Sequence, residues 1–152
     1  MRVHIATDHA GFELKQFLVE QLTSGGWEVV DHGALAFDPE DDYPRWIIPC
    51  AQACVAAGER GIVLGGSGNG EQIAANKVPG CRAALAYSCD TARLAKEHND
   101  AHVIGIGARM HTPAEAWEIV QAFLAAEFTG EHRHIRRLDQ LAEFEQHGTM
   151  AP

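Results

Sequence analysis

Short apolar runs alternate with amphipathic stretches along the whole chain, and this alternation constrains the fold more than any other feature. Val3–Ala6, Glu28–Val30, Gly61–Leu64, Arg82–Ala86 and Val103–Ile106 read as strands. The third and fifth are almost wholly apolar, the pattern of strands covered by helices on both faces. Between the strands, Leu14, Phe17, Leu18 and Leu22 recur at helical spacing, as do Ile47, Ile48, Ala51, Cys54 and Val55. A third helix is predicted to begin near Glu71 and a fourth to run through Thr91–Glu97. The sharpest helix start is Thr112-Pro113-Ala114-Glu115. There Thr112 caps, Pro113 suits the first helical position and Glu115 reaches back to close a capping box. Gly130 separates a sixth helix, from about His132 to Gln146, with Ile135, Leu138, Leu141 and Ala142 on one face. Strict β/α alternation implies a parallel sheet with right-handed crossovers. The expected fold is α/β, a three-layer α/β/α sandwich on a Rossmann-like, five-stranded parallel sheet spanning residues 1–130. An added C-terminal helix at 131–147 is expected to pack on a partner subunit, and residues 148–152 to form a frayed tail.

Charge narrows the class of partner. Twelve Lys and Arg against 21 Asp and Glu give a net charge of −9. Phosphate backbones repel such a surface, so a general nucleic-acid binder is not expected, although one local cationic pocket remains compatible. No run of about 18 apolar residues suggests a membrane span. The first residues enter a strand pattern without a signal-peptide layout, so a cytoplasmic location is expected. Cys50, Cys54, Cys81 and Cys89 match neither a C-x-x-C pair nor paired zinc knuckles, and reduced core thiols are predicted.

Ligands of such sheets bind beyond the carboxyl ends of the strands, and the informative residues do follow strands. Gly65-Gly66-Ser67-Gly68-Asn69-Gly70-Glu71 follows the third strand and precedes a helix. Four glycines in six positions let backbone N–H groups approach a ligand, and a helix start behind them suits an anion or developing oxyanion. A tight β–α turn is the plain structural alternative. The loop lacks the G-K-[ST] of a P-loop, the second glycine of G-x-S-x-G and the spacing of G-x-G-x-x-G. Glu71 is its one carboxylate and a candidate general base. The helix dipole lowers the pKa of a glutamate there and burial raises it, so the two compete at Glu71.

Asp8-His9-Ala10-Gly11 follows the first strand, where Asp8 serves either as a helix cap or at a site. His98-Asn99 ends the fourth helix. It reads either as a C-terminal cap with Asn in a left-handed turn or as a donor to a sugar oxygen. Arg133 and Arg137 are four apart on one helix face, as a bidentate phosphate clamp requires, and Arg109 after the fifth strand is a candidate to join them. A solvated face paired with the abundant acids is the alternative. Nine histidines raise the question of a metal. However, His98 and His102 straddle a helix end, His132 and His134 lie on different helix faces, and no H-E-x-x-H occurs, so no metal is expected.

Together these residues resemble the ribose-5-phosphate isomerase B family, within the wider group that includes galactose-6-phosphate isomerase subunits. The matching segments are Asp8-His9-Ala10-Gly11, Asp42-Tyr43-Pro44, Gly65 to Glu71, Ala75-Asn76-Lys77, His98-Asn99, Gly105-Ile106-Gly107-Ala108-Arg109 and the Arg133–Arg137 pair. The resemblance implies a homodimer or dimer of dimers, active sites shared between two chains, a phosphorylated sugar substrate and no cofactor. Much of the family carries a cysteine base where Ser67 stands. This chain instead resembles the actinobacterial-type branch, in which the glutamate of G-G-S-G-N-G-E is the base.

The implied reaction is reversible isomerisation of ribose 5-phosphate and ribulose 5-phosphate through a cis-enediolate. His98 would assist ring opening, with Asp8 near the ring oxygen or hydroxyls. Glu71 would move the proton between C2 and C1. The N–H groups of Ser67, Gly68, Asn69 and Gly70, with the Asn99 amide, would stabilise the enediolate. Arg109, Arg133 and Arg137 would hold the phosphate, and His9 and Tyr43 would line the pocket. The alternatives are the same chemistry on a six-carbon sugar phosphate, such as allose or galactose 6-phosphate, a nucleotide-binding regulatory module, or a Ser67 hydrolase.

Overall fold

In the computed structural model, which describes residues 1–149, the chain forms five strands and six α-helices in strict alternation until the last helix. Part of the expected tail, residues 150–152, lies outside the described residues. The strands are β1 (Arg2–Thr7), β2 (Glu28–Asp31), β3 (Arg60–Gly65), β4 (Ala83–Leu85) and β5 (Val103–Gly107). The helices are α1 (Phe12–Ser24), α2 (Pro44–Ala57), α3 (Asn69–Ala75), α4 (Cys89–Asn99), α5 (Pro113–Ala125) and α6 (His132–His147), and a short 3-10 turn, His9–Gly11, precedes α1. All strand pairings are parallel, in the order β2-β1-β3-β5-β4. The last two strands therefore exchange places relative to chain order. Among the described residues no helix is long and apolar enough to cross a membrane.

Alternate side chains of the strands feed two cores. Val3, Ile5, Ile62, Leu64, Ile104 and Ile106 pack under α1, α4 and α5, around the fully buried Phe123. Ala6, Val63 and Val103 pack under α2 and α3 with Ile47, Cys50 and Cys54. This is the period-2 alternation of a sheet buried on both faces. The α5 start has the predicted box. Glu115 N–H donates to Thr112 Oγ1 at 3.3 Å, and Thr112 N–H donates to Glu115 Oε2 at 2.7 Å. Ser88 and Thr91 form a second, unpredicted box at the start of α4.

Three local expectations need correction. β4 is shorter than Arg82–Ala86, because Arg82 N–H turns away from the ladder and donates to the His102 ring at 3.2 Å. Cys89 is not a core thiol, because it stands exposed on the first turn of α4, whereas Cys50, Cys54 and Cys81 are buried and free. The left-handed residue after α4 is Asp100 rather than Asn99, and its carboxylate pairs with Lys96 and Arg82.

One buried cation sets the path of the loop between β2 and α2. Lys15, 3% exposed, donates to both Asp31 carboxylate oxygens and to the Ala34 carbonyl, each at 2.7 Å. Three acceptors match its three ammonium protons. Asp31 also accepts from Gly33 N–H at 2.9 Å. We expect Asp31→Ala to strand the Lys15 charge and lower stability by about 2–4 kcal/mol. By contrast, Arg93→Ala, which breaks pairs on the surface of α4, costs less than ~1 kcal/mol. Urea unfolding at one fixed protein concentration checks both values.

Candidate active site

The carboxyl ends of β1 and β3 lie side by side, and their loops leave toward opposite faces of the sheet, α1 on one and α3 on the other. Such a switch point opens a crevice between the loops. Gly68 turns the chain out of β3 with φ +81°, and α3 begins one residue later. The first N–H groups of that helix have no helix carbonyl behind them, and that of Glu71 turns to its own carboxylate. Glu71 sits in the first turn of α3, only 4% exposed. Its carboxylate lies flat over the backbone of Gly65, where any Cβ would overlap it. Burial pushes the Glu71 pKa above its ordinary value. A hydrogen bond from its own backbone N–H opposes the rise, and the charge of Asp8 adds to it. Desolvation outweighs that backbone hydrogen bond.

Bare backbone receives two more side chains. The Tyr43 ring covers Gly70, where a Cβ would stand 2.8 Å from Cζ and 3.0 Å from the hydroxyl oxygen. Arg109 covers Gly66, where a Cβ would stand 3.2 Å from Nη1. Asn69 donates from its side-chain amide to Ser67 Oγ at 3.1 Å and from its backbone N–H at 3.3 Å. Ser67 is thus bound within the loop.

Asp8 caps the 3-10 turn, accepting from Ala10 N–H at 2.9 Å, and is buried. His9 is tied to Asp41, a residue the sequence reading passed over. Asp41 Oδ1 accepts from the His9 backbone N–H and from Nδ1, both at 2.9 Å, and Oδ2 accepts from Trp46 Nε1 at 2.8 Å. The hydrogen bond to Asp41 raises the His9 pKa above 6.5, against burial and with help from the charges of Asp8 and Asp41. Burial alone would raise the Asp41 pKa, but the bonds from His9 and Trp46 outweigh it and hold that carboxyl low. Asp8, His9 and Asp41 also bring donor atoms within 4.8 Å of one another, although the Asp41 oxygens are already engaged by these protein donors. An acid at 41, just before the quoted Asp42-Tyr43-Pro44, was the only sequence signal for this residue.

The remaining predicted residues lie elsewhere in the same chain. Helices that link parallel strands run antiparallel to them, so the end of α4 returns to the amino edge of the sheet. Arg82, at the foot of β4, donates to the Asn99 carbonyl at 2.8 Å and fixes that placement. The central strands β3 and β5, of six and five residues, span roughly 17–20 Å, so His98 and Asn99 are separated from Glu71 by the depth of the sheet. Arg133 and Arg137 lie on the exposed early turns of α6, beside His98, and Arg133 pairs with Glu131 at 2.9 Å. Within one chain Arg109 therefore does not join the Arg133–Arg137 pair. One edge carries Glu71, the glycine-rich loop, Asp8, His9, Tyr43 and Arg109. The other carries an imidazole, an amide and two guanidinium groups.

Comparison with known proteins follows this geometry. The model of the ribose/galactose isomerase family matches residues 3–141. A ribose-5-phosphate isomerase B of Mycobacterium tuberculosis is 58% identical over 147 residues, covering 96% of this chain and 91% of that protein. Among solved structures, ribose-5-phosphate isomerase B of Clostridium thermocellum superposes with TM-score 0.92 at 40% identity, over 98% of this chain and 100% of that one. The Mycoplasma genitalium enzyme, with bound ribulose-5-phosphate, superposes with TM-score 0.91 at 39% identity, over 96% and 97%. With a match across its sheet, its glycine loop and most of α6, the chain belongs to the ribose/galactose isomerase family.

Proposed function

We propose that this protein interconverts ribose 5-phosphate and ribulose 5-phosphate through a cis-enediolate, with Glu71 as the base. The observation that carries the reading is the buried Glu71 carboxylate beside the glycine cradle, its pKa raised by desolvation. A raised pKa brings a carboxylate closer to the basicity that proton abstraction next to a carbonyl requires. Glu71 removes the C2 proton of the open-chain aldose, and charge develops on the oxygen of C1. N–H groups of Ser67–Gly70 receive that charge, each donor contributing ~3–4 kcal/mol in a dry site. The hydroxyl proton of C2 passes to the charged oxygen of C1, and the protonated Glu71 delivers its proton to C1, leaving an alcohol at C1, a ketone at C2 and Glu71 ionised again. Ser67 has no base within the loop to activate it, since its oxygen accepts from Asn69.

Two copies are needed to assemble the full set of residues. In this reading His98 and Asn99 of one copy meet the cradle of another. His98 protonates the ring oxygen as the furanose opens, and the Asn99 amide supports the enediolate. Arg133 and Arg137 hold the phosphate with Arg109, and His9, its pKa raised by the hydrogen bond to Asp41, lines the pocket beside them. Binding the phosphate orients C1 and C2 over Glu71. The apolar residues of α6 support contact with a partner, for Ile135, Leu141 and Phe144 are 41–59% exposed. A homodimer or dimer of dimers, with α6 at 131–147 as the docking element, satisfies these requirements.

Three outcomes follow. Glu71→Gln abolishes isomerase turnover, a loss of at least about 1,000-fold, while Ser67→Ala loses less than about 10-fold. Ionising Glu71 in the folded state is unfavourable, so the Gln variant is at least as stable as wild type at pH 7. The reverse activity ranking in a coupled assay contradicts the assignment.

The second outcome concerns pH. Glu71 must be ionised to act, so kcat/KM falls as pH drops through its folded pKa, and the acid limb lies above pH 4.5. Asp8→Asn removes one cause of the rise and moves that limb to lower pH. An unmoved limb shows that the titrating group is not Glu71.

The third outcome concerns the shared site. Glu71→Gln is inactive alone, and His98→Asn keeps a small but measurable turnover, about 1% of wild type or less. Mixed, unfolded and refolded together, they regain about a quarter of wild-type activity, because half the dimers are hybrids and each hybrid has one intact site. No recovery places both residues in one chain's site.

A further inference from the structure

The His98 imidazole does not stand free at the end of α4. The ring of His134, on the first turn of α6, stacks against it with centroids 4.4 Å apart and planes 15° from parallel. The approach is built into the chain. Thr129, in the link from α5 to α6, donates from N–H at 3.0 Å and from Oγ1 at 3.1 Å to the carbonyl of Glu97, the residue before His98. Two hydrogen bonds to one carbonyl fix where α6 begins. His134 itself is only 5% exposed, and its Nε2 is buried without a hydrogen-bond partner among the described residues. Leaving a ring nitrogen unpaired is costly unless the ring does something else there. Desolvation, reinforced by the charges of His98 and Arg133 and further by Arg137, against Glu131, keeps His134 neutral. A neutral ring is one against which a protonated His98 can lie without repulsion.

We propose that His134 is a positioning residue for His98, its stacked ring setting the plane in which the His98 imidazole meets the sugar held in the cradle of a second copy. This rests on the reading of His98 as the ring-opening acid. The flat face of His134 covers one face of the His98 ring, blocks its rotation about χ2 and leaves its edge free. His134 touches no substrate atom in this arrangement. A displacement of about 1 Å in a reacting group costs up to ~100-fold in rate, so loss of the stack registers in turnover before it registers in binding.

The experiment is a double-mutant cycle on ribose 5-phosphate turnover with His98→Asn, His134→Ala and the pair. Sedimentation and circular dichroism confirm assembly and folding of each variant. We expect His134→Ala to lower kcat about 10- to 100-fold with KM changed less than about 3-fold. His134→Phe, which keeps a flat ring and discards both nitrogens, regains most of that loss. In the His98→Asn background His134→Ala has no further effect, because its action passes through His98. Should the alanine variant fail to fold, His134→Gln against His134→Phe makes the same comparison of no ring with ring. Turnover of His134→Ala within 2-fold of wild type, or a loss that multiplies in the His98→Asn background, overturns the proposal. Wild-type turnover in His98→Asn itself refutes the role of His98 and the proposal with it, and so separates the two failures.

Discussion

A carboxylate pressed against bare backbone is the contact on which the site depends. Glu71 occupies the space that a side chain on residue 65 would fill, and it is buried there without a cation beside it. Lost water, helped by the charge of Asp8, outweighs the hydrogen bond from its own backbone N–H and raises its pKa. Glycine is needed in the loop for three separate approaches: Glu71 over Gly65, Arg109 over Gly66 and Tyr43 over Gly70. The sequence G-G-S-G-N-G-E thus encodes a surface on which side chains lie, as well as a turn. The energy that holds an ionised Glu71 in this place comes from the rest of the domain, chiefly the fully buried strands β3 and β5. Function is located where the fold is locally least at ease.

Chain direction explains why the remaining groups are absent from this edge. In a parallel sheet, whatever ends a crossover helix stands at the opposite edge from whatever ends a strand. His98, Asn99 and the early turns of α6 share the amino edge, so no loop movement of ordinary size brings them to Glu71. The two half-sites carry complementary equipment. One carries a buried carboxylate and a glycine-rich loop, the other an imidazole, an amide and two guanidinium groups, and α6 also exposes Ile135, Leu141 and Phe144. A family relative that holds ribulose-5-phosphate shares this fold over nearly its whole length.

Much of this was legible in the residues, and for physical reasons. Hydrophobic periodicity marked α1, α2 and α6, and near-continuous apolar runs marked β3 and β5, since a strand buried on both faces has no polar side. T-P-A-E marked the α5 boundary because each of its residues satisfies a particular backbone group. Side-chain contacts between distant segments were not legible. Asp41 looked like any loop acid, yet it accepts from His9 and Trp46 across a fold-dependent gap. His134 looked like one histidine in a basic stretch, and only the tie between Thr129 and Glu97 brings it against His98. Burial of Glu71 was equally invisible, because it depends on the packing of α3 rather than on the residue. The exchange of β4 and β5 left no trace in the alternation, since either strand order satisfies the same pattern. Cys89 misled because cysteine is usually a core residue, and nothing local marks the exposed first turn of a helix.

The most direct measurement is hydrogen exchange at C1 of ribulose 5-phosphate in deuterated water, followed by proton NMR. It observes abstraction and return of the proton without waiting for net conversion. The account predicts exchange of one of the two C1 hydrogens, stereospecifically, with the wild-type protein, and none above background when Glu71 is replaced by glutamine. Stereospecific exchange that persists at the wild-type rate without the Glu71 carboxylate would contradict it.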